Sequence, residues 1–435
     1  MRFLLYRTLF VAFLMAELLL VTSQRVRYMG HRENAITLTL LAVLMGVFAL
    51  LAAFEKRKTP DFTSMPQWEP TLLRILSVLG IAATTFHFFR EISVIPIDIR
   101  LSDILPTIQV MNHRLMAGQY PYSLIQDFGY DLNPTYLPLM WMPFLPAEWF
   151  DFDERWMAYF YWILATLALH WQLRKGAFSS MAKWFITALP LFFFIFIEEG
   201  TDATFGNTIE IMIAGFYMLF AYQLAHIRSY LTGSPVKMGI LLSFFLVLCL
   251  LSRYSFLLWL PFLAAVVWVE NRRLALSTTI GVLTGVLLLF VLPFLLQDPM
   301  VYFKGLQYYS KAALGGWGES GNPSPLYDGM GLAGIFRDEV GGDMAHRLSV
   351  LQRWQLILSL TTVAICAAIW WKKRSKIQDL PLFLLGSLKC YFAIFYGFVQ
   401  MPYVYLMLTP CFFSIAMLLV WYRAPLKAAL VGNQA

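Results

Sequence analysis

The feature that most constrains this chain is a succession of apolar segments, each close in length to a membrane-crossing helix. A helix needs about 20 mostly apolar residues to cross the hydrocarbon core of a bilayer. Segments of that kind lie at 3–22, 35–54, 72–90, 153–172, 183–198, 207–227, 238–252, 254–270, 275–296, 351–371, 381–399 and 402–421. The sequence therefore predicts an all-α polytopic membrane protein with about twelve spans, within a range of about ten to fourteen.

Composition agrees with this fold class. The chain is 59% hydrophobic and only 14% charged, whereas a soluble domain has about 45–50% apolar and about 25% charged residues. The charge needed to cover two or three soluble domains of a 435-residue chain is missing. Soluble, disordered, fibrous and disulfide-scaffold classes are therefore excluded. The four cysteines lie inside apolar runs, and no histidine pair has the spacing of metal ligands, so no metal and no cofactor is predicted.

Basic clusters predict which ends of the spans face the cytoplasm. They lie at 55–58, 174–183, 228–237, 272–273, 372–376 and 423–427, and short cytoplasmic loops carry an excess of Lys and Arg. With these clusters inside, two long polar stretches, 91–134 and 297–350, fall on the opposite, external face. The segment 238–270 becomes a hairpin that turns at Arg253, and 136–150 enters the membrane face without crossing it.

One loop disobeys that rule, because Arg25, Arg27 and Arg32 fall on the external side.

The absence of an unblocked Asn-x-Ser/Thr sequence favours a bacterial plasma membrane over the secretory pathway. The chain divides into two additional amino-terminal spans with a basic loop (1–71), a central membrane module (72–296) whose first external loop is 91–134, a second long external loop (297–350), and a carboxyl-terminal three-span bundle with its tail (351–435).

The first external loop contains a predicted amphipathic helix over 102–118, with Ser102 as its N-cap and Gly118 after its end. This helix would lie at the membrane interface and present Asp103 at its beginning and Arg114 near its end. Sugar transfer to a hydroxyl needs a carboxylate that takes the acceptor proton and cations that hold a phosphate leaving group. The alternative is structural: Asp103 simply lies at the positive end of the helix.

Several motifs resemble those of a known family. The run from Asp103 to GQYPY (118–122), followed by YLPLMWMP (136–143), is similar to the first external loop of type-C (GT-C) glycosyltransferases. The most similar pattern is that of the glycosyltransferase 87 family of polyprenyl-phosphate-mannose-dependent mannosyltransferases. LLSRYSFLLWLPFL (250–263) resembles a further family segment, with Arg253 at its lysine position, and GNPSPLYDGMGLAGIF (321–336) resembles another. FGNTIE (205–210) departs from the family's GQxN. The resemblance covers roughly residues 100 to 340.

The resemblance implies a GT-C-like fold and a metal-independent, inverting transfer on the extracytoplasmic face. The donor would be a mannose-like sugar on polyprenyl phosphate, and the acceptor a glycan, a lipid or another molecule. By matched position the general base is Asp103, with Asp98 in reserve. The predicted donor-phosphate ligands are Arg253, Arg114 and Lys311, and the predicted substrate-binding residues are Tyr122, Tyr136, Asn207 and Asn322.

Each of these assignments has a structural alternative. An arginine between apolar runs costs about 2.5–3.5 kcal/mol on insertion scales unless it is paired. Arg253 therefore either binds the lipid phosphate, pairs with Glu198, Glu199 or Glu210, or extends to the interface. The other basic candidates are alternatively solvated loop charges, and the tyrosines are alternatively interfacial anchors.

Two rival functions belong to other classes. A transporter or flippase of lipid-linked glycans would have two pseudo-symmetric halves and charged residues within the membrane. The sequence shows no repeat, and its ionisable residues concentrate in the loops. A glycan polymerase or ligase would transfer a whole oligosaccharide from a diphosphate carrier rather than a single sugar from a monophosphate carrier.

Overall fold

The computed structural model describes residues 2–23, 25–26, 29–56, 69–175, 183–184, 187–188, 208–318, 324–327 and 329–422. Over these ranges the secondary structure is helical, apart from one antiparallel bridge between Ile125 and Leu132. The first half contains α1 (Arg2–Thr22), α2 (His31–Ala52), α3 (Glu69–Val94), α4 (Ile104–Met116), α5 (Pro138–Trp141), α6 (Leu145–Phe150), α7 (Arg155–Lys175), α8 (Glu210–Ala225) and α9 (Ile227–Thr232). The second half contains α10 (Pro235–Leu250), α11 (Leu260–Glu270), α12 (Arg272–Val286), α13 (Val301–Gly318), α14 (Ser324–Tyr327), α15 (Ala333–Glu339), α16 (Met344–Lys373), α17 (Leu380–Gly397) and α18 (Leu408–Tyr422).

Seven helical segments of the described residues are long and apolar enough to cross a membrane. They are Leu5–Thr22, His31–Ala52, Glu69–Val94, Arg272–Leu295, Met344–Lys376, Leu380–Gly397 and Val404–Tyr422. The all-helical, multi-pass prediction is thereby confirmed. Helices α7, α8, α10 and α11 occupy four further predicted spans, and most of the predicted span 183–198 lies outside the described residues. The count of twelve stays a prediction.

The centre of the bundle is formed by α17 and α18, whose apolar windows are 94% buried inside the protein. Helix α2 packs antiparallel against α17 through small residues: Gly397 meets Thr39, while Gly46 and Gly386 bring the two backbones together. Small residues permit this close approach, which is how helices associate where lipid removes the hydrophobic driving force. The amino-terminal spans therefore pack directly on the carboxyl-terminal bundle.

The predicted hairpin at Arg253 is confirmed by the register of two neighbouring helices. Along α10 and α12, Gly239 faces Ser277, Ser243 faces Gly281, and Val247 faces Gly285, so the two helices run parallel. For α10 and α12 to run in the same direction, the chain between them must run back in the opposite direction. Helix α11 is that returning segment. The reversal therefore falls in 251–259, which contains a single turn of 3₁₀ helix at 254–256.

The predicted loops lie at two opposite ends of the bundle. Hydrogen bonds connect loops at one end, and ion pairs connect loops at the other. At one end the backbone N–H groups of Gln378 and Asp379 donate to the Ala53 carbonyl, and Arg228 donates to the Gln378 carbonyl. These residues flank three of the basic clusters. At the other end Arg32 pairs with Asp338 and Glu339. One of the three arginines that disobey the charge rule is thus paired with acids of the second segment predicted to be external, 297–350.

The external segments are more regular than expected of long loops. The stretch 297–350, predicted as a loop, contains α13, α14, α15 and the start of α16. The segment 138–150 consists of three short helices separated at prolines, none long enough to span a bilayer. Helix α12 continues as a π-helix over 287–295, where Pro293 has no N–H to donate.

Candidate functional site

The carboxylate of Asp103 lies at the start of α4. The predicted start at Ser102 is slightly early, since the helix begins at Ile104 and Asp103 occupies the N-cap position. The Asp103 side chain makes no capping bond, however, and the Ser102 hydroxyl accepts from the Ile104 N–H instead, at 3.3 Å. The Asp103 Oδ2 atom accepts a hydrogen bond from the Tyr130 hydroxyl at 3.0 Å. The carboxylate therefore remains directed at other groups rather than at its own helix.

Three tyrosines lie within electrostatic range of this carboxylate. Tyr130 comes from the first predicted external segment, 91–134, Tyr136 comes from just after that segment, and Tyr308 comes from α13 in the second, 297–350. Burial, and after it the negative charge of Asp103, raises the pKa of each of the three hydroxyls. The phenols therefore stay protonated at neutral pH and can act as hydrogen-bond donors beside a carboxylate.

The guanidinium of Arg253 forms an ion pair with Glu210, in the first turn of α8. This is one of the three acids that the sequence analysis named as structural partners. The Glu210 side chain is 2% exposed and that of Arg253 is 18% exposed. The Arg253 Nε atom is buried and has no hydrogen-bond partner among the described residues. The pair thus neutralises the arginine but leaves one strong N–H donor unused.

Tyr136 connects the acid and the cation. Its buried hydroxyl lies within electrostatic range of both Asp103, which raises its pKa, and Arg253, which lowers it. Arg253 acts in the same way on Tyr309, in α13. The two segments predicted to be external and the hairpin turn therefore come close together at Tyr136, within electrostatic range of both Asp103 and Arg253.

The structure gives structural roles to two predicted site residues. The guanidinium of Arg114 donates to the carbonyls of Ser123 at 2.5 Å and Leu124 at 3.0 Å, so it braces the loop after α4 rather than presenting a free cation. Tyr122 is buried, donates to the Tyr136 carbonyl at 2.8 Å and accepts from Trp141 Nε1 at 3.2 Å. Its hydroxyl is therefore occupied by the protein, which argues against a role in substrate binding.

The remaining predictions fall in different places. Lys311 lies exposed on α13, where the structure does not show it beside Asp103 or Arg253. The reserve base, Asp98, forms an ion pair with Arg100 at 2.5 Å, and hydrogen bonds from Arg100 lower the pKa of Asp98 to about 2. A carboxylate of such low pKa is a weak base. Asn207 and Asn322 lie outside the described residues.

A second ion pair lies within the predicted spans and is an exception to the concentration of ionisable residues in the loops. Lys389 of α17 pairs with Glu17 of α1, and the two side chains are 0% and 1% exposed. Lys389 also donates to the Pro410 carbonyl at 2.9 Å, and the Ser414 hydroxyl lies 3.1 Å from the second Glu17 oxygen. Two charges inside apolar runs were the available signal, since such residues are expensive in a membrane unless paired.

Comparisons with known proteins find no match to this chain: no family model, no curated protein and no solved structure matches it. Among the described residues no group of three or more His, Cys, Asp or Glu side chains is arranged to hold a metal ion. The likeness to glycosyltransferase 87 motifs therefore stays a resemblance.

Proposed function

We propose that this protein is a glycosyltransferase that transfers a mannose-like sugar from a polyprenyl-phosphate carrier to a glycan or lipid acceptor. One observation carries the proposal: Asp103 and Arg253, a carboxylate and a guanidinium from distant parts of the chain, both lie within electrostatic range of the Tyr136 hydroxyl. This pairing of an acid and a cation is what transfer to a hydroxyl with a phosphate leaving group requires.

In the proposed reaction, the Asp103 carboxylate takes the proton of an acceptor hydroxyl. The acceptor oxygen then forms a bond to the anomeric carbon while the bond from that carbon to the lipid phosphate breaks, so the configuration inverts. The surrounding protonated tyrosines, Tyr130 and Tyr308, are placed to orient the acceptor hydroxyl. The phosphate leaves as a stable anion, and the reaction as proposed uses neither a general acid nor a metal.

Arg253 would hold the departing phosphate through its unused Nε–H. Glu210 neutralises part of the arginine's charge, so the site would bind the lipid phosphate without trapping it as product. The hairpin turn at 251–259 belongs to the end of the bundle predicted to face outward. The proposed reaction therefore takes place on the extracytoplasmic face of a bacterial plasma membrane, where the carrier lipid lies within reach of the bundle.

The experiment that tests the proposal uses purified full-length protein in lipid nanodiscs with polyprenyl-phosphate mannose and a panel of glycan and lipid acceptors. We expect release of polyprenyl phosphate together with a new glycosidic bond. Asp103→Asn should lower that release by about 10²–10⁴-fold, because the acceptor proton then has no base. Parallel reactions with a diphosphate-linked oligosaccharide separate this enzyme from a polymerase or ligase.

Asp127→Asn is the matched control, because it removes an exposed carboxylate from the same external segment. The control should retain wild-type turnover, and both variants should insert and elute from size-exclusion chromatography as the wild type does. An Asp103→Asn protein with wild-type turnover would remove Asp103 from the mechanism.

Transport of a lipid-linked glycan is the second candidate, and the intramembrane pair Glu17–Lys389 is the observation that favours it. Every oxygen and nitrogen of that pair already has a partner within the protein, which suits a permanent contact between helices. Sealed vesicles distinguish the two functions: vectorial movement of a labelled lipid-linked glycan without a new glycosidic bond would favour transport.

A further inference from the structure

A cleft of about 520 Å³ lies between the two external segments. One wall comes from the first segment, with Tyr120, Ser123 and Asn133, and the other from the beginning of the second, with Gln297, Asp298 and Lys304. Aromatic, hydroxyl and amide side chains thus line a single concave surface. This is the chemistry that recognises a ligand rich in hydroxyl groups.

The charges of the cleft cancel each other. Lys304 pairs with Asp298 at 2.6 Å, and these two residues are the charged side chains among those that line it. The Lys304 ammonium also lowers the pKa of Asp298, so the carboxylate stays ionised and the pair persists across the physiological range. A neutral polyol therefore fits this surface better than a phosphate does, because an anion would have to compete with Asp298 for the lysine.

The aromatic wall is held in place by the protein. The Tyr120 hydroxyl donates to the Phe294 carbonyl at 3.1 Å, at the end of the π-helical turn. That bond uses the polar end of Tyr120 and leaves its ring as the surface available to a ligand. Sugar rings present apolar C–H faces, which pack on aromatic rings while their hydroxyls bond to neighbouring polar side chains.

The cleft leads to the site of the proposed reaction along both walls. On α13, Lys304 lines the cleft and Tyr308, near Asp103, comes one helical turn later, about 6 Å along the helix. The two walls are close there, since a Cβ added to Gly305 would lie 3.2 Å from the Thr135 Cα atom. On the first segment, Asn133 lines the cleft and Tyr136 follows three residues later at the site.

We infer that this cleft binds a neutral oligosaccharide and delivers its terminal hydroxyl to Asp103. The inference rests on the proposed function and deepens it, because it assigns the acceptor as a neutral glycan chain rather than a charged lipid headgroup. It also assigns separate places to the two substrates: the donor phosphate at Arg253 and the acceptor chain between the two external segments.

A binding experiment tests the inference independently of catalysis. Full-length protein in nanodiscs is titrated with mannotetraose and maltotetraose, and with the same tetraoses carrying a terminal phosphate, using saturation-transfer NMR. We expect a neutral tetraose to bind and its phosphorylated form to bind no more than about threefold more tightly. Failure of both neutral tetraoses to bind, or a gain of about tenfold or more from the phosphate, would overturn the inference.

Matched amide substitutions locate the binding. Asn133→Ala removes an amide of the cleft and should weaken binding about three- to tenfold. Gln126→Ala removes an exposed amide of the same segment outside the cleft and should leave the Kd within about twofold. Equal effects of the two substitutions would overturn the assignment of binding to the cleft.

Three further variants test the Tyr120 ring and the charge of the Asp298–Lys304 pair. Tyr120→Phe keeps the ring and should bind as the wild type does, whereas Tyr120→Ala should bind more weakly. Asp298→Asn releases the Lys304 charge and should create a preference of about fivefold or more for the phosphorylated tetraose. If neutral tetraoses bind as described but no sugar is transferred from any polyprenyl-phosphate donor, the proposed function fails and the glycan site stands.

Discussion

Two ion pairs among the described residues, Glu17–Lys389 and Glu210–Arg253, differ in how completely their hydrogen-bonding groups are satisfied. In Glu17–Lys389 both side chains are almost fully buried, and each is bonded to a further group, Ser414 or the Pro410 carbonyl. In Glu210–Arg253 the arginine is 18% exposed and its Nε–H has no partner among the described residues. We call Glu17–Lys389 the closed pair, because every oxygen and nitrogen of its charged groups has a partner within the protein. We call Glu210–Arg253 the open pair, because the Arg253 Nε–H remains an unused donor within the described part of the chain.

Their surroundings differ in the same sense. The closed pair joins α1, α17 and α18, which pack as regular helices in the interior of the bundle. The open pair lies where α8 meets the irregular turn 251–259, with tyrosines from both external segments nearby. Regular helices satisfy their own backbone groups and pack closely, whereas the chain reversal at 251–259 leaves the Arg253 side chain 18% exposed.

The comparison teaches that a buried charge in a membrane protein is not by itself a sign of activity. An intramembrane ionisable residue is a functional candidate by default, and both pairs qualify on sequence alone. What separates them is whether any hydrogen-bonding capacity remains after folding. By that criterion Glu17–Lys389 fixes the arrangement of helices, and Arg253 is available to a ligand.

The largest effect is expected from breaking the closed pair. Lys389→Met leaves the Glu17 carboxylate buried without its cation, which costs about 3–5 kcal/mol of the free energy of unfolding. The double variant Glu17→Gln, Lys389→Met removes both charges and should recover most of that loss. Thermal unfolding in detergent measures the effect. A single variant as stable as the wild type would show that the pair does not hold the helices together.

The next effect is expected from the open pair and concerns activity rather than stability. Arg253→Lys keeps a positive charge beside Glu210 but loses the planar guanidinium and its spare Nε–H. We expect sugar transfer to fall roughly 10- to 100-fold while the melting temperature stays close to that of the wild type. Lys311→Met, which removes an exposed cation of α13, is the control and should keep its activity. A loss of stability without a loss of transfer would make Arg253 a structural residue like Lys389.

A smaller effect is expected from Tyr136, whose hydroxyl lies within electrostatic range of both the acid and the cation. Tyr136→Phe keeps the half-buried ring and removes the hydroxyl, so we expect kcat to fall about three- to tenfold with little change in KM for the donor. Tyr122→Phe is the matched control, because its hydroxyl bonds to the Tyr136 carbonyl and to Trp141 inside the protein. That control should lower the melting temperature and leave kcat unchanged. If Tyr122→Phe lowered kcat and Tyr136→Phe lowered only the melting temperature, Tyr122 would act in the reaction and Tyr136 would be structural.

Much of the architecture could be predicted because it depends on local pattern. Apolar runs and basic clusters predict helices and their ends, and they place a chain reversal at Arg253, which the parallel register of α10 and α12 confirms. The helix after Asp103 could be recognised in the same way, from its apolar periodicity and from Gly118, which adopts a φ of +69° after the helix.

The pairings could not be predicted, because they depend on how distant segments pack. The sequence offered three acids as partners for Arg253, and only the fold selects Glu210. Glu17 and Lys389 are 372 residues apart, and nothing local connects them. The helix α13 was also missed, since its glycines and polar residues resemble a loop, and its tyrosines gain a role only where they meet the first external segment.

The smallest effect is expected at Asp98, which the sequence could not distinguish from Asp103 as the base. Hydrogen bonds from Arg100 lower the pKa of Asp98 to about 2, below its ordinary value of 3.8. Its contribution to stability is therefore present above pH 3.8 and is lost only as the pH falls through about 2. Between about pH 5 and 8 the carboxylate stays ionised, so Asp98→Asn should change neither the turnover by more than about twofold nor the shape of the pH–rate profile. Profiles of the wild type, Asp98→Asn and Asp103→Asn recorded together decide the question, and an inactive Asp98→Asn beside an active Asp103→Asn would make Asp98 the base.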